Sequence, residues 1–141
     1  MIGPEVKNWL SKAINDYKTS EKLLNSPAEE IITDTLCFHC EQFVEKTLKA
    51  YLVSKNIDFK RTHNLEYLVK LCTEQDADFG WIDEVAEKLS EYAVEIRYPD
   101  DFYLPTLEEA REGFKIARKV KEFVFEKLGI KDADLSGQIT S

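Results

Sequence analysis

Glycine and proline are scarce, at five and four in 141 residues. Sandwiches, barrels and runs of βα units need turn-forming residues at close intervals, so these folds are disfavoured and a mostly helical chain is expected. Long apolar runs are missing too. None approaches the roughly 20 residues that span a bilayer, and Met1-Ile2-Gly3-Pro4-Glu5 lacks the basic-then-apolar pattern of an export signal. Only three cysteines are present, an odd number that builds no disulfide framework and fits a reducing compartment. These absences together predict a soluble cytoplasmic protein. At a net charge of −8 the chain also lacks the overall basic character of a general nucleic-acid scaffold, which gains most of its affinity by neutralising phosphates.

The charge that is present is unevenly placed. Between Glu74 and Asp101 ten acidic residues face only Lys88 and Arg97, so this stretch carries the whole excess. Between Lys46 and His63 the balance reverses, with Lys46, Lys49, Lys55, Lys60 and Arg61 against Asp58. The chain therefore offers at most a local basic patch, and solvated helix faces of opposite sign account for most of the pattern.

Apolar periodicity predicts five helices in one domain. Val6, Trp9, Leu10, Ala13, Tyr17 and Leu24 share a face of a first helix over about 5–25. Ser26, Pro27 and Glu29 read as a capping box opening a second helix that runs to about Ser54. Its apolar stripe is Leu36, Cys37, Cys40, Phe43, Val44, Leu48 and Tyr51. Thr35, His39, Gln42, Lys46 and Lys49 lie toward the other side, with His39 at the border. After a loop, Asn64 or Thr62 caps a short third helix bearing Leu65, Leu68, Val69 and Cys72. The fourth buries Ile82, Val85, Ala86, Leu89, Ala93 and Ile96 and ends near Arg97, because Pro99 pushes its predecessor out of the helical region. The fifth starts at a Thr106/Glu109 capping box, buries Leu107, Ala110, Phe114, Ala117, Val120 and Val124, and stops at Gly129. Phe123 and Phe125 fall off that face and offer spare apolar surface for a homodimer. The expected fold is all-α: an up-and-down four-helix bundle with an additional short helix. Residues 1–129 form the domain and 130–141 a flexible tail short on apolar anchors.

Three segments invite a chemical reading. Cys37-Phe38-His39-Cys40 is formally C-x-x-C, but both thiols sit in mid-helix on the apolar stripe. Reactive pairs occupy helix N-termini and structural zinc needs four ligands, so core packing is the better reading and no metal is expected. His39-x-x-Gln42-x-x-Glu45-Lys46-x-x-Lys49 stacks polar groups on successive turns, which is also what an outer bundle face looks like. Arg97-Tyr98-Pro99-Asp100-Asp101-Phe102-Tyr103 closes a helix with an arginine, two tyrosines and two carboxylates. That arrangement suits either a phosphate-binding corner or a capped helix end.

The segments from Phe38 to Leu52, Arg61-Thr62-His63-Asn64-Leu65 and Arg97-Tyr98-Pro99-Asp100, in this order and spacing, resemble the signature of the HEPN domain family, a domain of higher eukaryotes and prokaryotes proposed to bind nucleotides. The resemblance covers about residues 5–128. It implies a helical bundle that forms homodimers, and a small protein paired with a minimal nucleotidyltransferase in a toxin-antitoxin-like module. Many members are metal-independent ribonucleases with an Arg-x(4–6)-His motif. Here Arg97 takes the arginine's place, but no histidine follows it, and neither His39 nor His63 has an arginine at the required distance. Missing imidazole chemistry is worth about two to four orders of magnitude in rate, so a non-catalytic role is favoured. The resemblance then implies a subunit binding a nucleotide or RNA through Arg97, Tyr98, His39, Gln42, Lys46 and His63, without a cofactor. The alternative is a ribonuclease with a displaced histidine. Tyr98 and Tyr103 are also possible acceptors of nucleotide transfer by the partner.

Overall fold

A computed structural model describes residues 2–93 and 104–135. These residues form five α-helices: α1 (Pro4–Leu24), α2 (Thr33–Ser54), α3 (Leu65–Gln75), α4 (Ile82–Tyr92) and α5 (Leu107–Leu128). Among the described residues there is no strand, and the architecture is the expected helical bundle with α3 as the additional short helix. No helix among these residues is long and apolar enough to cross a membrane.

The helix ends follow local chemistry. Pro4 opens α1, where its missing N–H costs nothing. Asn64 caps α3 by accepting from the Tyr67 N–H at 3.1 Å, which decides between the two expected caps. Thr106 and Glu109 form the predicted capping box of α5. At its other end Gly129 adopts the left-handed conformation (φ 68°), with Gly129 N–H bonded to Glu126 O and Ile130 N–H to Phe125 O. Asn56 does the same for α2. Its φ is 58°, and the bonds from Asn56 N–H to Val53 O and from Ile57 N–H to Leu52 O repeat the pattern. Asparagine tolerates this region better than other side-chain-bearing residues.

Three boundaries differ from expectation. The Ser26 hydroxyl does not cap α2; it turns back to Lys22 O, and Pro27 is extended (ψ 141°). A single 3-10 turn, Ala28–Glu30, intervenes before α2 begins at Thr33. Beyond Gly129 a second apolar anchor appears, because Asp132–Leu135 forms a 3-10 turn that buries Leu135. The fourth helix, expected to reach about Arg97, ends at Tyr92 with Ala93 as its C-cap, and Ile96 and Arg97 lie outside the described residues.

The centre of the bundle is α2, which touches α1, α3, α4 and α5. Its predicted stripe is fully buried, and so are Glu45, Thr47, Lys49, Ala50 and Leu52 on other sides. The outer-face reading of its polar row therefore fails for Glu45 and Lys49, which are covered, while His39, Gln42 and Lys46 keep partial exposure. Phe123 and Phe125 are not spare surface either. Phe125 is buried, and Phe123 packs edge-on to Phe79 (centroids 4.9 Å apart) and Trp81 (5.4 Å) where the Ala77–Trp81 turn folds over α5. Sequence periodicity does not show that turn.

Candidate functional site

The polar row of α2 is organised around two buried carboxylates. Asp16 projects from the buried face of α1 and is 8% exposed. Its Oδ1 accepts a hydrogen bond from His39 Nδ1 at 2.8 Å, and its Oδ2 accepts one from Lys46 Nζ at 2.7 Å. One helix thus supplies the acid and the other supplies an imidazole and an ammonium two turns apart. Glu45, 2% exposed, is the second centre. Lys49 Nζ, one turn along α2, lies 3.0 Å from its Oε2, and His63 Nδ1 reaches Oε1 and Oε2 at 3.0 and 3.2 Å.

Burying charges this deeply costs several kcal/mol per ion unless their bonding capacity is met. The second centre meets it well. Lys49 also donates to Thr62 O at 2.7 Å, and its ammonium lies over the rings of Trp9 (5.2 Å) and Phe59 (6.0 Å). The loop that follows the Asn56 turn provides Phe59, Thr62 and His63. That loop therefore closes over the Glu45–Lys49 pair and seats His63 on it.

Both histidines are held in the same way. A carboxylate only accepts, so Nδ1 carries the proton in each ring and Nε2 is the nitrogen left for other work. This is the carboxylate-oriented imidazole found in general-base and metal-ligand settings. Their surroundings differ. The His39 side chain is 26% exposed and shares Asp16 with Lys46. The His63 side chain is 84% exposed and borders a cleft of about 760 Å³ between the start of α3 and α4, lined by Glu66, Asp83, Glu87 and Glu91. Those acids oppose a phosphate there, so His63 is the weaker of the two as an anion contact.

Of the six residues expected to form a site, His39, Gln42 and Lys46 lie on successive turns of α2, with Gln42 half-buried. His63 joins a separate cluster through Glu45. Arg97 and Tyr98 lie outside the described residues, as does Tyr103. Asp16 and Glu45, which hold both histidines, were missing from that set. Asp16 carried a signal: it falls on the face of α1 that also buries Val6, Leu10, Ala13 and Ser20, where an acid requires a partner.

Cys37, Cys40 and Cys72 are buried and unpaired, as core packing requires, and burial pushes each thiol up to about 12. No group of three or more His, Cys, Asp or Glu among the described residues is placed to hold a metal ion.

Comparison with known proteins agrees with this architecture. No curated protein matches the chain. The crystal structure of an archaeal HEPN homologue matches with a TM-score of 0.64 and 22% identity, over 86% of this chain and 96% of the other. That of a Thermus thermophilus protein matches with a TM-score of 0.67 and 23% identity, over 89% and 99%. At these identities the likeness speaks for the fold. The family model of the HEPN domain matches residues 6–128, which takes in all five helices and both carboxylate–histidine clusters, and the chain belongs to the HEPN domain family.

Proposed function

We propose that this HEPN protein is a nucleotide- or nucleic-acid-binding subunit that forms a homodimer and serves as the non-catalytic partner of a nucleotidyltransferase-like protein in a toxin-antitoxin-like module. The observation that carries the binding role is the Asp16–His39–Lys46 cluster. Asp16 fixes the imidazole through Nδ1, leaving Nε2 of a partly exposed side chain free of that bond, with the Lys46 ammonium two turns along α2. In this reading His39, Gln42 and Lys46 meet the ligand phosphate, Arg97 grips it with paired bonds, Tyr98 stacks on the base, and His63 contributes at the margin. The test is calorimetric titration with ATP and with a short RNA, beside His39→Ala and Arg97→Ala. A ligand confined to the native state adds RT ln(1 + [L]/Kd), about 2.7 kcal/mol at a hundredfold excess. Binding by wild type that both variants lose supports the reading. Binding that neither variant weakens overturns the site, and light scattering that shows only monomer overturns the dimer.

A second reading, a metal-independent ribonuclease, has one observation in its favour. Each histidine is oriented by a carboxylate as a general base would be. RNA cleavage abolished by His39→Ala or His63→Ala would establish it over the binding reading; wild type without cleavage removes it.

A further inference from the structure

The two grooves flanking α4 are opposite in sign. On the α3 side lies the acidic cleft described above. On the α5 side lies a groove of about 400 Å³ lined by Trp81, Val85 and Lys88 from the turn and α4, and by Arg111, Lys115 and Lys119 from α5. Its one carboxylate, Glu112, already accepts from the Tyr92 hydroxyl at 3.0 Å and lies 3.7 Å from Lys88. Four cations against one engaged acid is exceptional in a chain of net charge −8.

Geometry narrows the ligand. Arg111, Lys115 and Lys119 are four residues apart on a helix, so they form a row with an axial step of about 6 Å. That step is close to the separation of neighbouring phosphates in an extended single strand. None of the three has an ion pair with another described residue. Trp81 closes one end. It is braced edge-to-face by Phe123 (85° between planes) and still 38% exposed, among the few large apolar side chains left open to solvent. Val85 adds apolar surface beside it. A cation row ending in a braced, open indole fits a strand of phosphates and flat bases better than an acidic peptide, which has nothing to stack.

We propose that the α4–α5 groove is a docking surface for a short single-stranded nucleic acid, its phosphates along Arg111, Lys115 and Lys119 and one base on Trp81. This surface is separate from the His39 cluster and does not depend on it. The experiment is fluorescence anisotropy with a labelled 12-nucleotide single-stranded RNA across a salt series, on wild type, Lys115→Ala/Lys119→Ala, Trp81→Phe, Trp81→Ala and His39→Ala. All the altered side chains are solvent-accessible to some degree, and circular dichroism confirms folding. Three neutralised phosphates give a slope of log K against log salt near −2, and removing two lysines flattens it by about 1.4. Trp81→Ala weakens binding by about 5- to 150-fold, and Trp81→Phe, which keeps a ring, by much less. No binding by wild type overturns the proposal. So does binding that His39→Ala abolishes while the groove variants leave it intact, a result that transfers the strand to the other site. Equal competition by poly-glutamate also overturns it, because charge alone would then explain the groove.

Discussion

Replacing Glu45 by glutamine tests whether the buried Glu45–Lys49 pair is structural in the way its surroundings suggest. Glutamine keeps the volume and removes the charge. Lys49, 6% exposed, would then keep only neutral acceptors, the glutamine carbonyl and Thr62 O, and the faces of two rings. Removing one partner of a buried pair costs about 3–5 kcal/mol, since the survivor is left desolvated and uncompensated. The lower end applies here because those contacts remain. For 141 residues the unfolding entropy is roughly 0.3 kcal/mol/K, so a loss of about 3 kcal/mol lowers Tm by about 10 °C. Lys49→Met in the same background removes the stranded charge and should return more than about 1 kcal/mol of that loss. Urea titrations at fixed protein concentration measure both, with the slope checked for constancy. If Glu45→Gln stays within about 0.5 kcal/mol of wild type, or the two substitutions are simply additive, the pair is not coupled as its geometry requires.

The remaining predictions concern the thiols, one surface cluster and one cap. With all three cysteines held up at about 12, native protein at pH 8 should react negligibly with a disulfide reagent and yield three equivalents in denaturant; one rapidly reacting thiol in native buffer would contradict the core assignment of Cys37 and Cys40. Lys127, at the end of α5, lies 2.8 Å from Asp76 and 2.7 Å from Asp78, whose carboxylates raise its pKa, while that of Asp76 is lowered by the Lys127 ammonium and then by the Asp78 N–H. The carboxylate's contribution is therefore present above its unfolded pKa and lost as pH falls through the lower folded value. The ammonium's is present below its unfolded pKa and lost as pH rises through the higher folded one. The stability difference between wild type and Lys127→Met should be flat between about pH 5 and 9 and shrink at both extremes and in 1 M salt; a peak near neutrality would refute the assignment. Thr106→Ala removes the side-chain acceptor for the Glu109 N–H and should cost about 1 kcal/mol in chemical denaturation, whereas Thr106→Ser should cost little.

The parts of the fold that were legible are those fixed by local rules. Apolar spacing located all five helices, and Asn64, Thr106 and Gly129 act as the cap residues they were read to be. What was lost depended on contacts between elements. Glu45 and Lys49 looked like part of a solvated face because periodicity records which residues share a side, not whether another element covers that side. Lys49 reads as surface in any window of sequence, and it is buried because α1 brings Trp9 and the loop after Asn56 brings Phe59. Phe123 was misread for the same reason, since its partners Phe79 and Trp81 belong to a 3-10 turn with no periodic signature. The clusters were half legible. The Glu45–Lys49 spacing is that of a helical ion pair and Asp16 stands on an apolar face, but only the α1–α2 packing joins Asp16 to His39.

The two carboxylate clusters have nearly the same parts and different prospects. In each, an acid takes a histidine through Nδ1 and a lysine through its ammonium. At Glu45 the lysine is spent on the pair, on Thr62 O and on two rings, and the histidine borders four further carboxylates, so the local field repels phosphate. At Asp16 the lysine keeps a 23% exposed side chain, and the acid that balances it is itself nearly buried and doubly occupied. A charge engaged from two sides projects little attraction of its own toward solvent. The Asp16 cluster is therefore the one that can present donors to an anion, while the Glu45 cluster pins the loop after α2 to the bundle. This division explains how two similarly held histidines differ: His39 on α2 depends on α1 for its orientation, and His63, in the loop that follows α2, depends on that loop being closed.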